Sequence, residues 1–234
     1  MHLTKLITAT ALMFSTALTA TAASTPQDMG YQATYEVTFI PSWNPATHPM
    51  DYPLSHAKHG LLTPIIGATH NQAYTLFAKG QKPTPGLERL SEMGMHAPLD
   101  QEIQNAKRAG SVGALVRFEQ PSPGPVHPTV RAMFQIDEAH PMVSLVGMIA
   151  PSPDWFYGVG SVSLRDGSAW VASRSVTVYA WDSGGDAGAS YMAEDSDLAS
   201  KEATKPLTHA NFKHGGVRVP VGTFVFKRVP DPAR

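Results

Sequence analysis

The stretch Met142-Val143-Ser144-Leu145-Val146-Gly147-Met148-Ile149-Ala150 decides the fold of this chain. Apart from Ser144, it is apolar on both faces of an extended backbone, which predicts a strand in the centre of a sheet. The residues that follow, Pro151-Ser152-Pro153-Asp154-Trp155-Phe156, begin with turn formers that end the strand. A central strand needs neighbours on both sides, so we expect further strands in the flanking sequence.

The flanking sequence contains several short segments that suit strands. Clusters of Gly, Pro, Asp and Ser separate them, and they are Gln32–Ile40, Val112–Glu119, Thr129–Ile136, Gly158–Leu164, Ser173–Trp181 and Val217–Val229. This spacing predicts an all-β fold, an antiparallel β-sandwich or barrel. Pro220 lies inside the last segment, so we expect that strand at a sheet edge or bulged.

Two long connections interrupt this pattern. Residues 41–85 are rich in Pro, His, Asn and Gly and predict a packed or functional loop, followed by short helices at Leu87–Met93 and Leu99–Ala109. The sandwich therefore carries one or two short helices in a long N-terminal insertion. Residues 183–215 are rich in Gly, Ser, Asp and Ala and predict a long mobile loop.

Composition excludes several classes of protein. The 234 residues contain no cysteine, and 18 basic side chains face 19 acidic ones. Without cysteine the chain cannot be a disulfide-stapled miniprotein, a zinc ribbon or a thiol enzyme. A formal charge near zero argues against a nucleic-acid partner, because such binding needs a basic surface.

The N-terminal segment indicates export. Lys5 precedes a mostly apolar run, Leu6–Ala20, which closes on Ala20-Thr21-Ala22. This pattern predicts a signal peptide at residues 1–23, and the run is shorter than the ~20 apolar residues of a spanning helix. We therefore expect a single exported domain over 24–234, periplasmic or secreted, with no transmembrane segment after signal removal.

Aspartates stand where two predicted strands end. Asp154 follows the central strand, and Asp182 and Asp186 lie in Tyr179-Ala180-Trp181-Asp182-Ser183-Gly184-Gly185-Asp186-Ala187-Gly188. Neighbouring strand ends with carboxylates can hold a hard cation in a cage of oxygens. Aspartate also commonly caps turns through its own backbone, so spacing alone leaves both interpretations open.

These segments resemble the spondin domain, the N-terminal adhesion module of F-spondin and mindin. The matching pieces run in one order over about residues 31 to 192, namely Tyr35–Phe39, Asn44–Pro49, Pro64–Asn71, His140–Ser144, Met148–Val159 and the Trp181–Gly188 loop. The resemblance implies a calcium-binding antiparallel β-sandwich that serves adhesion rather than catalysis. It also implies an architecture similar to that of calcium-dependent membrane-binding sandwich modules.

The resemblance further implies a set of calcium ligands. Asp154 and Asp182 match acidic positions of the family, Asp186 matches a second acid of the same loop, and Gln135 stands where the family has a glutamate. Glutamine offers one carbonyl oxygen without the charge, so we expect weaker calcium binding than in the acidic version. Asp137 lies two residues on, hence on the same strand face as Gln135, and could contribute a further oxygen if the strand end is adjustable.

Three aromatic residues close to these acids have two interpretations. Trp155, Phe156 and Trp181 either pack the core, as large aromatics commonly do, or face a partner beside the ion. An aromatic side chain beside the ion would suit a sugar face or a peptide. The expected function is an exported calcium-binding module that recognises a protein or glycan at a surface.

Two other functions stay open. His56 and His59 are closely spaced and could bind a transition metal, whereas His48, His70 and His140 fall in the family segments and suit hydrogen-bonding struts. A carboxylate pair could also act as acid and base on a sugar. However, calcium-bound carboxylates stay ionised, and the sequence has no Gly-x-Ser-x-Gly, Walker or His-Glu-x-x-His motif. We therefore do not expect an enzyme.

Overall fold

The computed structural model describes residues 32–53, 60–119 and 127–230. The predicted signal peptide at residues 1–23 lies outside the described residues, as do His56 and His59. Within the described ranges, no helix has the length and apolar character needed to cross a membrane.

The described residues form fourteen strands and two α-helices. In chain order they are β1 (Gln32–Pro41), β2 (Leu61–Leu62), β3 (Ile66–His70), α1 (Pro85–Met93), α2 (Leu99–Arg108), β4 (Val112–Arg117), β5 (Val130–Asp137), β6 (Met142–Ala150), β7 (Trp155–Ser163), β8 (Arg165–Asp166), β9 (Ala169–Trp170), β10 (Ser173–Asp182), β11 (Lys205–Pro206), β12 (Lys213–His214), β13 (Val217–Arg218) and β14 (Gly222–Val229). A short 3-10 helix covers Ala210–Phe212.

The main sheet runs in the order β4-β3-β6-β7-β10-β14-β1-β5, with β2 added to β6 and β11 added to β10. Every pairing along this path is antiparallel. The two outermost strands, β4 and β5, contact each other, so the sheet is almost closed on itself. The predicted all-β antiparallel architecture is confirmed, and β6 is central as expected.

Strand β3 lies inside the region that the sequence predicted as irregular. All five of its residues, Ile66–His70, are buried, and it pairs with β6 on one side and β4 on the other. Gly67 permits this close pairing, since a Cβ there would lie 1.9 Å from the carbonyl oxygen of Ser144. The sequence did not predict this strand because it is short and because polar and apolar residues do not alternate along it.

The expectation for Pro220 was wrong. The last strand, β14, begins at Gly222 and lies between β10 and β1, away from the edges of the sheet. Pro220 belongs to the connection before it, where its carbonyl accepts a hydrogen bond from Ser42 Oγ at 2.9 Å. The chain therefore accommodates the proline by starting the strand two residues later.

Apolar side chains form two cores on either side of β7. The larger core fills the interior of the sheet and includes Trp155 and Tyr157. The smaller core lies between the sheet and the helices and includes Leu90, Ile103 and Phe156. Because α1 contacts both β6 and β7, it lies over the sheet beside the loop that joins these two strands.

The antiparallel register defines two ends of the sheet. At one end, Asp182 on β10 is opposite Trp155 at the start of β7, and we call this the Asp182 end. At the other, Gln32 on β1 is opposite Asp137 on β5, and Thr34 is opposite Val229 on β14. We call it the Asp137 end.

Residues 183–215 pack against the Asp182 end. The predicted long loop contains β11 and the 3-10 helix, and Asp186, Thr204 and Leu207 within it are buried. Backbone hydrogen bonds tie its two halves together, for example from Glu202 N–H to the Gly184 carbonyl at 2.8 Å. The segment thus has the contacts of a packed loop, which its composition did not indicate.

Candidate metal centre

Asp154 is the most deeply placed carboxylate of the site. Its side chain has no exposed surface, and its Oδ2 accepts hydrogen bonds from Ser183 Oγ and from the N–H groups of Gly184, Gly185 and Asp186. Its Oδ1 is buried and has no hydrogen-bond partner among the described residues. An ionised oxygen left in this state is costly, so the arrangement fits a cation at Oδ1.

Glycine shapes the loop that surrounds Asp154. Gly184 has φ +87°, and a Cβ there would lie 2.5 Å from the carbonyl oxygen of Glu202. This conformation turns consecutive N–H groups toward one point and forms an anion-binding nest. The Ser183-Gly184-Gly185-Asp186 sequence therefore holds the Asp154 carboxylate in place.

Asp182 lies beside Asp154 at the end of β10. It is 6% exposed, and its Oδ1 accepts a hydrogen bond from Gly184 N–H at 2.9 Å. Burial raises the pKa of Asp182 to about 6, and the neighbouring Asp154 carboxylate acts in the same direction. Lys205 compensates in part, with its Nζ 3.6 Å from Asp182 Oδ2. The two carboxylates share one N–H donor and repel each other.

Asp186 uses both of its oxygens inside its own loop. Oδ1 accepts a hydrogen bond from Gly188 N–H and Oδ2 accepts one from Ser196 N–H, each at 2.6 Å. In the part of the chain that the structure describes, Asp154, Asp182 and Asp186 do not place one oxygen each within 4.8 Å of one another. Asp186 thus closes the loop around Asp154, and its position suits a structural role better than that of a ligand.

Gln135 does not join the site. It is exposed on β5 opposite Thr34, toward the Asp137 end of the sheet. Asp137 lies further in the same direction, and its Oδ1 accepts a hydrogen bond from His140 N–H at 2.8 Å. The expected placement of Gln135 among the ligands, with a further oxygen from Asp137, is therefore wrong, because the antiparallel register carries both residues away from the Asp182 end.

Glu92, near the end of α1, is a candidate that the sequence interpretation missed. Its Oε1 is buried and, within the described ranges, has no hydrogen-bond partner. Burial raises the pKa of Glu92 to about 7, and the carboxylates of Glu88, Asp197 and Asp154 add to the effect against the opposing charge of Lys201. Glu88, Glu92 and Asp197 bring one carboxylate oxygen each within 4.8 Å of one another.

The local sequence explains the position of Glu92. Thr84 caps α1 by accepting a hydrogen bond from Leu87 N–H at 3.2 Å, and Gly94 ends the helix with φ +67°. Glu88 and Glu92 are four residues apart and share a helix face, where like charges destabilise an isolated helix. That pair on a predicted helix was the signal that could have identified the site.

Gly185 brings the helix and the loop together. A Cβ at this position would lie 2.8 Å from Glu92 Oε1, and its N–H donates to Asp154 Oδ2 at 2.7 Å. The carboxylates of Glu92 and Asp154 therefore flank the backbone of one residue. Asp182 lies next to Asp154, and the three carboxylates offer the hard oxygens that calcium prefers. Among the described residues, however, these three do not place one oxygen each within 4.8 Å of one another, as Glu88, Glu92 and Asp197 do.

The three predicted partner-facing aromatics belong to the cores. Trp155 and Phe156 have no exposed surface, which leaves nothing for a partner to contact. Trp181 is half-buried and packs against Phe77, with ring centroids 5.2 Å apart. The core interpretation of Trp155 and Phe156 is correct, and their assignment to partner binding is wrong.

The histidines of the family segments act within the fold. His70 is buried, its Nε2 is 2.8 Å from Ser144 Oγ, and its Nδ1 is 2.8 Å from the carbonyl oxygen of Asn71. His140 closes the turn that begins at Asp137, because its N–H donates a hydrogen bond to Asp137 Oδ1. Over residues 32–53, 60–119 and 127–230, the clustered metal-binding side chains are carboxylates without histidine.

Exposed apolar side chains occur in the segments that surround the site, and Met93 lines a cavity there together with charged side chains such as Arg89 and Glu92. This cavity has a volume of about 400 Å³ and is also lined by Ser152, Pro153, Asp186 and Ala193, among others. Leu61, Met93, Met95 and Met192, which we call the apolar rim, are 37%, 56%, 45% and 57% exposed. Leu61 pairs with Ala150 at the same end of the sheet, so exposed apolar and buried acidic side chains occur together there.

Comparisons with known proteins identify relatives over most of the chain. The family model Spondin_N matches residues 33–216, which include Glu92, Asp154 and Asp182. Spondin-2 of Homo sapiens is 28% identical over 198 residues, covering 84% of this chain and 57% of the relative. Spondin-1 of Homo sapiens is 30% identical over 147 residues, covering 62% of this chain and 18% of the relative. The chain thus spans little more than half the length of Spondin-2.

Proposed function

The chain belongs to the Spondin_N family, and from that premise we propose that it is an exported, calcium-dependent binding module of the adhesion type. Its partner is a protein or glycan at a surface, and the Asp182 end is the binding end. The observation that carries this proposal is the completely buried Asp154 carboxylate, whose Oδ1 has no hydrogen-bond partner in the described chain.

Three carboxylates would hold the ion, and binding would draw them closer than in the described structure, where they do not place one oxygen each within 4.8 Å of one another. Asp154 and Asp182 come from the ends of adjacent strands, and Glu92 comes from α1, which packs over them. Calcium prefers carboxylate and carbonyl oxygens, so the donor set fits. When bound, the ion supplies positive charge that offsets the repulsion among these groups and can also bridge to an acidic group of a partner. Its ligands join the helix, the β6–β7 connection and the 183–188 loop.

The apolar rim supports binding of a partner at the same end. Large apolar side chains that stay exposed beside a polar site commonly mark an interaction surface. Three of the four rim residues are methionines, whose flexible side chains adapt to different partners. A module with an ion at its centre and an apolar rim suits contact with a surface.

The same geometry disfavours the alternative of a carboxylate-based enzyme. Asp154 has no exposed surface, and four donors surround its Oδ2. A general acid or base must reach the proton that it transfers, which a substrate cannot bring to this position. Binding is therefore the function that we propose.

Thermal unfolding tests the calcium site. The protein is first chelated exhaustively and then melted with and without millimolar calcium, beside Asp182→Asn. At about a hundred times its dissociation constant, an ion bound to the folded state adds roughly 2.7 kcal/mol, which raises Tm by several degrees. We expect Asp182→Asn to lose most of this shift.

A matched variant controls for the removal of one charge. Asp166→Asn changes an exposed aspartate in the β8–β9 hairpin, away from the site, and should keep the full calcium shift. A wild-type protein whose Tm does not respond to calcium would refute the proposal.

A further inference from the structure

Lys201 holds the acidic cluster that continues from the site onto α1. Its Nζ lies 2.8 Å from Glu88 Oε1 and 3.3 Å from the carbonyl oxygen of Gly185, and it also contacts Asp197 Oδ1. The Lys201 side chain is 21% exposed and Asp197 is 65% exposed, so the ammonium group contacts these oxygens at the outer side of the cluster. Three protein oxygens around one cation resemble part of the coordination shell of a metal ion.

The ammonium leaves part of the cluster uncompensated. Glu92 shares the cluster with Glu88 and Asp197, yet Glu92 Oε1 has no hydrogen-bond partner among residues that the structure describes. The same is true of Asp154 Oδ1. The ammonium contacts Glu88 and Asp197 but makes no hydrogen bond to either of these two buried oxygens.

Gly185 connects Lys201 directly to the proposed ligands. Its carbonyl accepts from Lys201 Nζ, its N–H donates to Asp154 Oδ2, and its Cα faces Glu92 Oε1. An ion held by Asp154 and Glu92 would therefore lie within one residue of the Lys201 ammonium. Two cations at such a short distance repel each other.

From this geometry we infer that Lys201 is a tethered cation that competes with calcium and sets the affinity of the site. The inference rests on the proposed calcium function and adds its regulation. Calcium binding displaces the ammonium from the Glu88, Asp197 and Gly185 oxygens, and the vacated oxygens then face the ion. The chain therefore binds calcium more weakly than its carboxylates alone would, which suits a compartment where calcium is abundant.

Lys205 differs from Lys201 in its setting. It is 51% exposed, and its closest carboxylate is Glu202 at 2.8 Å, with Asp182 Oδ2 at 3.6 Å. Solvent screens the Lys205–Glu202 pair, in which both side chains are more than half exposed. The contact of Lys205 with Asp182 is longer than that of Lys201 with Glu88, so we assign the main competition to Lys201.

Calcium titration calorimetry of the chelated protein tests the inference. We expect Lys201→Gln to bind calcium at least ten-fold more tightly than the wild type, and Lys201→Arg, which keeps the charge, to stay within about three-fold of it. Lys227→Gln, an exposed change on β14, is the matched control and should leave affinity unchanged. The gain should persist in 1 M salt, where the Debye length is about 3 Å, because the contact is direct.

A second measurement uses the wild-type protein and does not depend on the folding of a variant. Mass spectrometry follows acetylation of Lys201 by acetic anhydride with and without calcium. Displacement of the ammonium predicts faster acetylation of Lys201 in calcium and an unchanged rate at Lys227.

The outcomes separate the inference from the function on which it rests. A wild type that binds calcium, with Lys201→Gln equal or weaker, would show that Lys201 only braces the loop and would overturn the inference alone. An acetylation rate at Lys201 that calcium does not change would have the same meaning. Absence of calcium binding in the wild type and in Lys201→Gln alike would overturn the function and the inference together.

Discussion

His48 is a buried titratable residue outside the acidic cluster. It is 1% exposed, its ring packs against Phe212 with centroids 5.5 Å apart, and burial lowers its pKa to about 4. In the unfolded chain a histidine has a pKa near 6.5. The unfolded state therefore binds more protons between these values, and the stability that neutral His48 contributes is lost as pH falls from about 6.5 through 4.

This predicts a specific acid sensitivity. Between pH 7 and pH 4.5, the free energy of unfolding of the wild type should fall more steeply than that of His48→Gln. Urea unfolding followed by tryptophan fluorescence at several pH values measures the two slopes. Other buried histidines affect both proteins equally, so parallel slopes would contradict the assignment to His48.

Gly184 occupies a position in the loop around Asp154 that does not tolerate a side chain. Its φ is +87°, and a methyl carbon added to it would lie 2.5 Å from the Glu202 carbonyl oxygen, so Gly184→Ala meets both backbone strain and a clash. We expect it to cost about 3 kcal/mol of stability and to abolish the calcium shift, as measured by urea unfolding and thermal melts. Gly110→Ala is the matched control, because Gly110 has φ +79° with open space around it among the described atoms. Equal losses in the two variants would contradict the role of the clash.

Individual site residues could be predicted from sequence only in part. Asp154 and Asp182 stand at the ends of strands that the apolar pattern marks clearly, and the structure places them together. Gln135 was placed among the ligands because it stands where the family has a glutamate, whereas the pairing of β5 with β1, which a single sequence does not reveal, puts it toward the other end of the sheet. Glu92 was missed because its burial depends on the packing of α1 over Gly185, a contact between residues far apart in sequence.

Among the elements, α1 carries Glu92 and depends on its cap. Thr84 Oγ1 accepts from Leu87 N–H and donates to Glu102 Oε2 at 2.6 Å, so α2 helps to fix the start of α1. Thr84→Ala should cost about 1 kcal/mol and weaken calcium binding, because α1, which carries Glu92 near its other end, is held less firmly at its start. Thr84→Ser keeps the hydroxyl and should behave as the wild type in urea unfolding and calorimetry. A Thr84→Ala protein with unchanged stability would argue against this coupling.

The sequence predicted strands and helices correctly where an apolar run was long or where polar and apolar residues followed a clear period. Residues 142–150 were placed with the correct bounds and a central position, and both helices were found within two residues of their ends. Strand β3 was not found, because five buried residues in a Pro-rich region show no period. The edge position expected for the last strand failed because Pro220 precedes the strand that it was thought to interrupt.

At the scale of the molecule, the two ends of the sheet are chemically different. The Asp182 end combines the buried carboxylates with the apolar rim, whereas the Asp137 end is built from turns such as the one His140 closes. We therefore expect calcium to slow the hydrogen exchange of backbone amides at the Asp182 end and not at the Asp137 end. In hydrogen exchange, amides of Gly184, Gly185 and Asp186 should slow on addition of calcium, while those of Leu164 and Val171 should not change. Uniform protection over the whole chain would contradict a local site.

The pairing of β1 with β14 has a mechanical consequence. Thr34 lies opposite Val229, so the start of β1 and the finish of β14 lie side by side at the Asp137 end of the sheet. Tension applied between Thr34 and Val229 would separate β1 from β14 by breaking their hydrogen-bonded residue pairs one after another. Tension between the Asp182 end and the Asp137 end would instead act along the strands. It would load many hydrogen-bonded residue pairs at the same time. The same sheet is thus weak against one direction of pulling and resistant in the direction that an adhesive contact would load.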